Sequence, residues 1–263
     1  MRHSISASLS LVTLLASPAL ATGPLDGTWK IDLGATKLPT KPDVFLLEKG
    51  SFTCSSCTPA YTIKADGITH PVAGHDYYDA ASAEVVDAHT VVQRSGKAGK
   101  IGFKLVNSIS ADGNTLTYEF TDTSAPNGVP VTGKGVETRV APAPAGAHVI
   151  SGSWRTTSMT NMSDSGLTIS FVTTPDTISM TNPTGQSYTA RYGGPPVPIK
   201  GDPAMTMAAV VKTGTHGIVE TDTRKGKVVS TATVAIAPDD KTLTVTVKDM
   251  IGGTSTTYKA IKQ

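Results

Sequence analysis

Residues 61–80 read YTIKADGITHPVAGHDYYDA and residues 110–122 read SADGNTLTYEFTD. The same plan returns as YTARYGGPPVPIKGDPAM at 188–205 and APDDKTLTVTVKD at 237–249. One constant offset carries Tyr61 onto Tyr188 and Asp122 onto Asp249 without a gap, with about a quarter of the positions identical. The identities fall where backbone chemistry is demanding: Gly67/Gly194, Pro71/Pro198, Gly74/Gly201 and Gly99/Gly226. A repeat this long means two copies of one domain rather than a solenoid of short units. Ala141-Pro142-Ala143-Pro144-Ala145-Gly146 separates the copies as a short, stiff linker. The copies are expected to fold over 22–146 and 147–263.

Within each copy the pattern is that of strands. Thr90–Arg94 and Ile101–Val106 are alternating runs joined by a Gly-containing turn. Asp112-Gly113 is a hairpin signal ahead of the alternating Thr115–Phe120. Thr and Val are abundant, and both suit strands. Short strands at regular spacing imply a sheet closed into a small barrel or sandwich. The expected class is all-β, with two tandem antiparallel β-barrels or barrel-like sandwiches of roughly eight strands each.

Each copy opens on one signature, Leu25-Asp26-Gly27-Thr28-Trp29-Lys30 and Ile150-Ser151-Gly152-Ser153-Trp154-Arg155, which together hold both tryptophans of the chain. A Gly-x-Trp on a first strand resembles the opening of the lipocalins and the wider calycin group. The later segments are similar to those of bacterial secreted lipocalin-like proteins: Gly-x-x-x-Pro-Val-x-Gly, a Gly-Lys turn, then Ser-x-Asp-Gly-x-Thr-Leu-Thr. The resemblance implies two lipocalin-like barrels in which the Trp packs across a closed end. It carries over architecture and no particular ligand.

The N-terminus reads as a secretory signal over residues 1–21. Arg2 supplies the positive charge, Ile5–Leu15 the apolar run, and Ala19-Leu20-Ala21 the small-x-small cleavage form. The expected address is periplasmic or secreted, with no span after signal removal. The net charge of +2 and scattered Lys and Arg offer no basic cluster, so a nucleic-acid partner is not expected. In an oxidising compartment Cys54 and Cys57, in Cys-Ser-Ser-Cys, are expected to form a local disulfide. The alternatives are a redox pair, and a metal site completed by His70 or His75.

The candidate chemistry lies in the first copy. His70-Pro71-Val72-Ala73-Gly74-His75-Asp76-Tyr77-Tyr78-Asp79 gathers two histidines, two acids and two tyrosines, whereas the second copy keeps the turn Pro198 and Gly201 and loses both His and both Tyr. His70, His75, Tyr77 and Tyr78, with Trp29, are candidate ligand contacts. As chemistry, His75 is a candidate general base oriented by Asp76 or Asp79, with Tyr77 or Tyr78 as acid. The plain reading of the same stretch is a polar loop at a barrel mouth. His89 and His216 occupy equivalent positions before a strand and are expected to be structural. No nucleotide-binding, Gly-x-Ser-x-Gly or His-Glu-x-x-His motif is present, and no cofactor or metal is expected. Few aromatics, with Met205 and Met207, favour a cavity in the barrel. The expected function is therefore non-catalytic binding of a small apolar molecule. The alternatives are a small isomerase, cyclase or hydrolase built on the His70–Asp79 loop, and a structural interaction module of the envelope.

Overall fold

The computed structural model describes residues 23–263, so the expected signal over 1–21 lies outside the described residues. The first half runs through Gly27–Lys37 (β1), Asp43–Glu48 (β2), Ser51–Cys54 (β3), Tyr61–Lys64 (β4), His70–Pro71 (β5), Ala80–Val85 (β6), Thr90–Lys97 (β7), Lys100–Ile109 (β8), Thr115–Asp122 (β9) and Val131–Ala141 (β10). The second continues with Gly152–Met162 (β11), Thr168–Thr173 (β12), Thr177–Thr181 (β13), Ser187–Arg191 (β14) and Val197–Pro198 (β15). Met207–Lys212 (β16), Gly217–Arg224 (β17), Lys227–Ile236 (β18), Thr242–Asp249 (β19) and Thr254–Lys262 (β20) complete it, with one 3-10 turn at Asp164–Gly166. The protein is all-β.

The strands form two ten-stranded antiparallel sheets, each curled into a nearly closed barrel. One has the order β4-β3-β2-β11-β10-β9-β8-β7-β6-β5 and the other β14-β13-β12-β1-β20-β19-β18-β17-β16-β15. The expected eight strands become ten because short segments such as β5 and β15 extend each sheet. Single bridges, Asp66 to Glu84 in the first and Tyr192 to Val210 in the second, draw the free edges together. We call these sheets barrel 1 and barrel 2.

The opening strands are exchanged. Strand β1 of the first copy sits between β12 and β20 of barrel 2, and β11 of the second copy sits between β2 and β10 of barrel 1. The copies seen in the sequence are therefore not the sheets. Strand β11 follows β10 in the chain and pairs with it directly, as consecutive strands commonly do. That closes barrel 1 and leaves the N-terminal strand to complete barrel 2.

The two signatures occupy equivalent places despite the exchange. Trp154 is fully buried in the core of barrel 1 among Leu47, Phe52, Ile63, Val91 and Leu116. Trp29 is fully buried in barrel 2 among Phe171, Ile178, Ile218 and Leu243. Each indole N–H donates to the carbonyl four residues back, Ile150 at 2.7 Å and Leu25 at 2.8 Å. A cation covers each ring: the Arg139 guanidinium stands 4.0 Å from the centroid of Trp154, and the Lys262 ammonium 5.1 Å from that of Trp29. The glycine before each Trp is required. Gly27 and Gly152 have φ of 115° and 114°, and a Cβ on Gly152 would lie 2.5 Å from the Ala141 carbonyl oxygen.

The other repeat identities have local causes. Asp112 and Asp239 accept the backbone N–H two residues on, from Asn114 at 3.0 Å and Lys241 at 2.9 Å, and so set the turns before β9 and β19. The hairpins at Ala98-Gly99 and Lys225-Gly226 have positive φ at both central residues. The His89 and His216 carbonyls each accept a backbone N–H, from Ile109 and Ile236, at 2.8 Å. Met205 is 76% exposed on a loop and fills no barrel interior, which corrects its sequence-based placement.

Candidate ligand-binding cavity

The His70–Asp79 loop begins with β5, which pairs Pro71 with Ala80, and closes where the Val72 N–H donates to the Asp79 carbonyl at 2.9 Å. The Asp79 carboxylate anchors the loop by accepting the Ala98 N–H at 3.1 Å. Its side chains part in three directions. His75 and Tyr78 turn to the mouth of barrel 1, their rings stacked with centroids 4.2 Å apart, and Tyr61 of β4 meets His75 edge-on at 5.6 Å. Asp76 and Tyr77 turn to barrel 2, where Arg224 donates to the Asp76 carboxylate at 2.5 Å and to the Tyr77 hydroxyl at 2.9 Å. His70 lies on the outside, paired with Asp66 at 2.8 Å.

Sequence reasoning thus drew together residues that the fold separates. Trp29 lies in the core of barrel 2, His70 is outside the mouth and His75 stands behind Tyr78, so of the candidate contacts only Tyr77 and Tyr78 line the cavity below. The acid–base arrangement also comes apart. Asp76 is committed to Arg224, whose hydrogen bond holds its carboxyl below the usual range, and Asp79 to the Ala98 N–H. Among the described residues neither is hydrogen-bonded to His75, whose imidazole is pushed down by burial and whose Nε2 has no partner in the protein. Cys54 and Cys57 form a disulfide. Cys54 ends strand β3 rather than opening a helix, so the feature that activates redox thiols is missing. Among the described residues no three His, Cys, Asp or Glu side chains stand together to hold a metal ion.

Beside Tyr77 and Tyr78 a cavity of about 880 Å³ opens into barrel 1. Tyr61, Tyr78, Phe103 and Leu105 supply its apolar wall, Gln93 and Ser95 its inner polar side, and Arg94, Lys97 and Lys100 a basic rim. Burial pushes the Tyr61 hydroxyl up, and that of Tyr78 to about 12.

A polar belt, missed in the sequence reading, circles this interior. The strand register puts Gln93 diagonal to Asn107, Asn107 opposite Tyr118, Tyr118 diagonal to Glu137, and Glu137 opposite Thr156. Asp43, opposite Trp154, continues it on β2. Asn107 is 2% and Glu137 6% exposed. The Gln93 Nε2, Asn107 Nδ2 and Glu137 Oε2 atoms are buried with no hydrogen-bond partner in the protein, although Thr156 donates to the other Glu137 oxygen at 3.2 Å. Burial, then the nearby Asp43, pushes the Glu137 carboxyl up to about 7.

The same layer of barrel 2 is apolar. By register, Asn107, Tyr118, Glu137, Thr156 and Asp43 correspond to Val234, Val245, Ala260, Ile31 and Ile169. Only Glu220, opposite number of Gln93, is polar, and the Tyr188 hydroxyl donates to it from the wall. Tyr61, the counterpart of Tyr188, faces a glutamine and leaves the space open. Two of these exchanges, Asn107/Val234 and Tyr118/Val245, stand in the gapless part of the repeat and were visible as polar-for-apolar swaps on alternating positions. No family model, no curated protein and no solved structure matches this chain.

Proposed function

We propose that barrel 1 binds a small molecule with an apolar body in the cavity beside Tyr78, outside the cytoplasm and without catalysis. The observation that carries this reading is the difference between the barrels: about 880 Å³ open beside Tyr61 and Tyr78 in barrel 1, against the Tyr188–Glu220 closure at the same height in barrel 2. Ligand sites of roughly 300–1,000 Å³, mostly apolar and with a few placed polar groups, suit such molecules. The Cys54–Cys57 disulfide and the Ala-x-Ala leader support an oxidising compartment. Among the described residues no helix is long and apolar enough to cross a membrane. A catalytic reading would need a carboxylate on His75, and both neighbouring acids are engaged elsewhere.

Native mass spectrometry of protein taken from its own envelope tests the proposal, with titration of 1-anilinonaphthalene-8-sulfonate as a second readout. An extra mass lost on denaturation, and dye binding abolished in Ser95→Trp, are the expected results. A clean mass together with dye binding indifferent to Ser95→Trp overturns the reading.

A further inference from the structure

One hairpin in each barrel closes on a pair of opposed cations. In barrel 2 the β17–β18 hairpin closes with Arg224 opposite Lys227, and in barrel 1 the β7–β8 hairpin closes with Lys97 opposite Lys100. The hairpins match in detail. Each has positive φ at both central residues, and each has a register shift just before its closing pair, at Ser95/Gly96 and Asp222/Thr223. Like charges directly opposite one another destabilise a sheet. In barrel 2 a carboxylate offsets that repulsion: Asp76 Oδ2 lies 2.5 Å from Arg224 Nη1, and its Oδ1 3.9 Å from Lys225 Nζ. The Tyr77 ring accompanies it, 5.1 Å from the guanidinium. This hairpin end therefore holds an acid that carries an aromatic neighbour.

Barrel 1 has the cations without the acid, and both line the cavity. Among the described residues neither Lys97 nor Lys100 forms an ion pair. Lys97 spends one of its three N–H donors on the Asp76 carbonyl and keeps two. The acids of this region are turned to other donors. Asp79 accepts from the Ala98 N–H at 3.1 Å, and Asp122, which also lines the cavity, accepts from the Ser124 N–H at 2.8 Å and the Ser124 hydroxyl at 2.6 Å. Arg94, the third cation of the rim, is paired with Glu84 at 2.8 Å. A cationic head would meet two uncompensated ammonium groups, and a neutral one would leave them opposed. We infer that the cavity takes an organic acid, its carboxylate held at the rim by Lys97 and Lys100 as Arg224 holds Asp76. The apolar body of that acid lies inward against Tyr61, Tyr78, Phe103 and Leu105. The inference rests on the binding role proposed above and adds the charge of the ligand.

Calorimetric titration of the mature protein with decanoate, decan-1-ol and decylammonium, at equal chain length and low ionic strength, tests this. Decanoate is expected to bind tighter than decan-1-ol and at least about tenfold tighter than decylammonium, the worth of one charge-assisted hydrogen bond. Lys100→Gln, at an exposed side chain, is expected to reduce that preference. Lys97→Gln with Lys100→Gln is expected to level the three affinities, with circular dichroism reporting that the variant is folded. Decan-1-ol or decylammonium binding as tightly as decanoate to the unmodified protein overturns the proposal while leaving the cavity role intact. A decanoate preference that survives the double substitution in the folded variant also overturns it. Failure of all three probes, with a clean native mass, removes the cavity role and this inference together.

Discussion

Arg224 of barrel 2 reaches across to Asp76 of barrel 1, with Nη1 2.5 Å from Oδ2 and the guanidinium side chain only 8% exposed. Its Nη2 also donates to the Tyr77 hydroxyl at 2.9 Å and to Thr206 Oγ1 at 3.1 Å. The acid that the sequence suggested as a catalytic partner is therefore a clamp between barrels. Removing Asp76 leaves the buried Arg224 guanidinium without its carboxylate partner. Asp76→Ala should lower stability by about 1–3 kcal/mol, read as a drop in the midpoint of thermal unfolding, and should leave dye binding in the cavity within about twofold. A loss of binding as large as the loss of stability would instead place Asp76 in the site.

The strand exchange makes the halves interdependent. A protease site placed in the exposed Pro144–Gly146 turn should be cut without separating the fragments, because β1 lies inside the sheet of barrel 2 and β11 inside that of barrel 1. Size-exclusion chromatography of the nicked protein should give one peak at the intact mass. Residues 22–146 produced alone lack the strand between β2 and β10 and should be unfolded by circular dichroism. Independent folding of that fragment would sink the exchanged topology.

Tyr118 and Gly135 are a matched pair. A Cβ on Gly135 would lie 2.3 Å from the Tyr118 hydroxyl oxygen and 2.8 Å from the Ser158 carbonyl oxygen, and the corresponding pair in barrel 2 is Val245 with Tyr258. One aromatic ring is supplied from opposite strands in the two barrels. Gly135→Ala should cost about 1–3 kcal/mol through overpacking. Adding Tyr118→Val should recover part of that loss in a denaturant titration, so the two changes should be non-additive.

The buried carboxyls predict a pH dependence with a definite sign. Glu137 is raised to about 7 and Glu220 to about 8, each chiefly by burial, from an ordinary value of 4.5. A carboxyl raised on folding favours the folded state in its protonated form. Its contribution is fully present below the unfolded value and is lost as pH rises through the folded one. The midpoint of unfolding should therefore fall between pH 5 and 8.5, with Glu137 accounting for on the order of 3 kcal/mol. Glu137→Gln should flatten the profile around pH 7. Asp76 and Asp66 are lowered instead, so their contributions disappear only as pH falls below about 4. A thermal midpoint rising from pH 5 to 8.5 would contradict the assignment.

Much was legible in the chain itself. The gapless repeat, the alternation of Thr115–Phe120 and the turn chemistry of Asp112 and Asp239 determined an all-β protein with two like barrels, because hairpin turns and inward–outward alternation are local properties. The oxidised Cys54–Cys57 pair, separated by two residues, was local too. The candidate loop stood out in the sequence as a place where the copies differ in His and Tyr. Which way its side chains turn was not legible: Tyr77 and Tyr78 are adjacent and both line the cavity, but the Tyr77 hydroxyl accepts from Arg224 while the Tyr78 ring stacks on His75.

Tertiary structure alone decided the partner of each opening strand. Leu25–Lys30 and Ile150–Arg155 carry one signature, so either strand fits either barrel by local pattern. In the folded chain β11 pairs with β10 and β2, and β1 with β20 and β12. The polar belt is likewise a property of register: Asn107, Tyr118, Glu137 and Thr156 lie on four successive strands and meet only when those strands pair. Glu137 and its counterpart Ala260 lie beyond the gapless part of the repeat, so no linear comparison aligned them. Burial then leaves Asn107 Nδ2 and Glu137 Oε2 without a partner in the protein, because the closed barrel removes the water that would otherwise satisfy them.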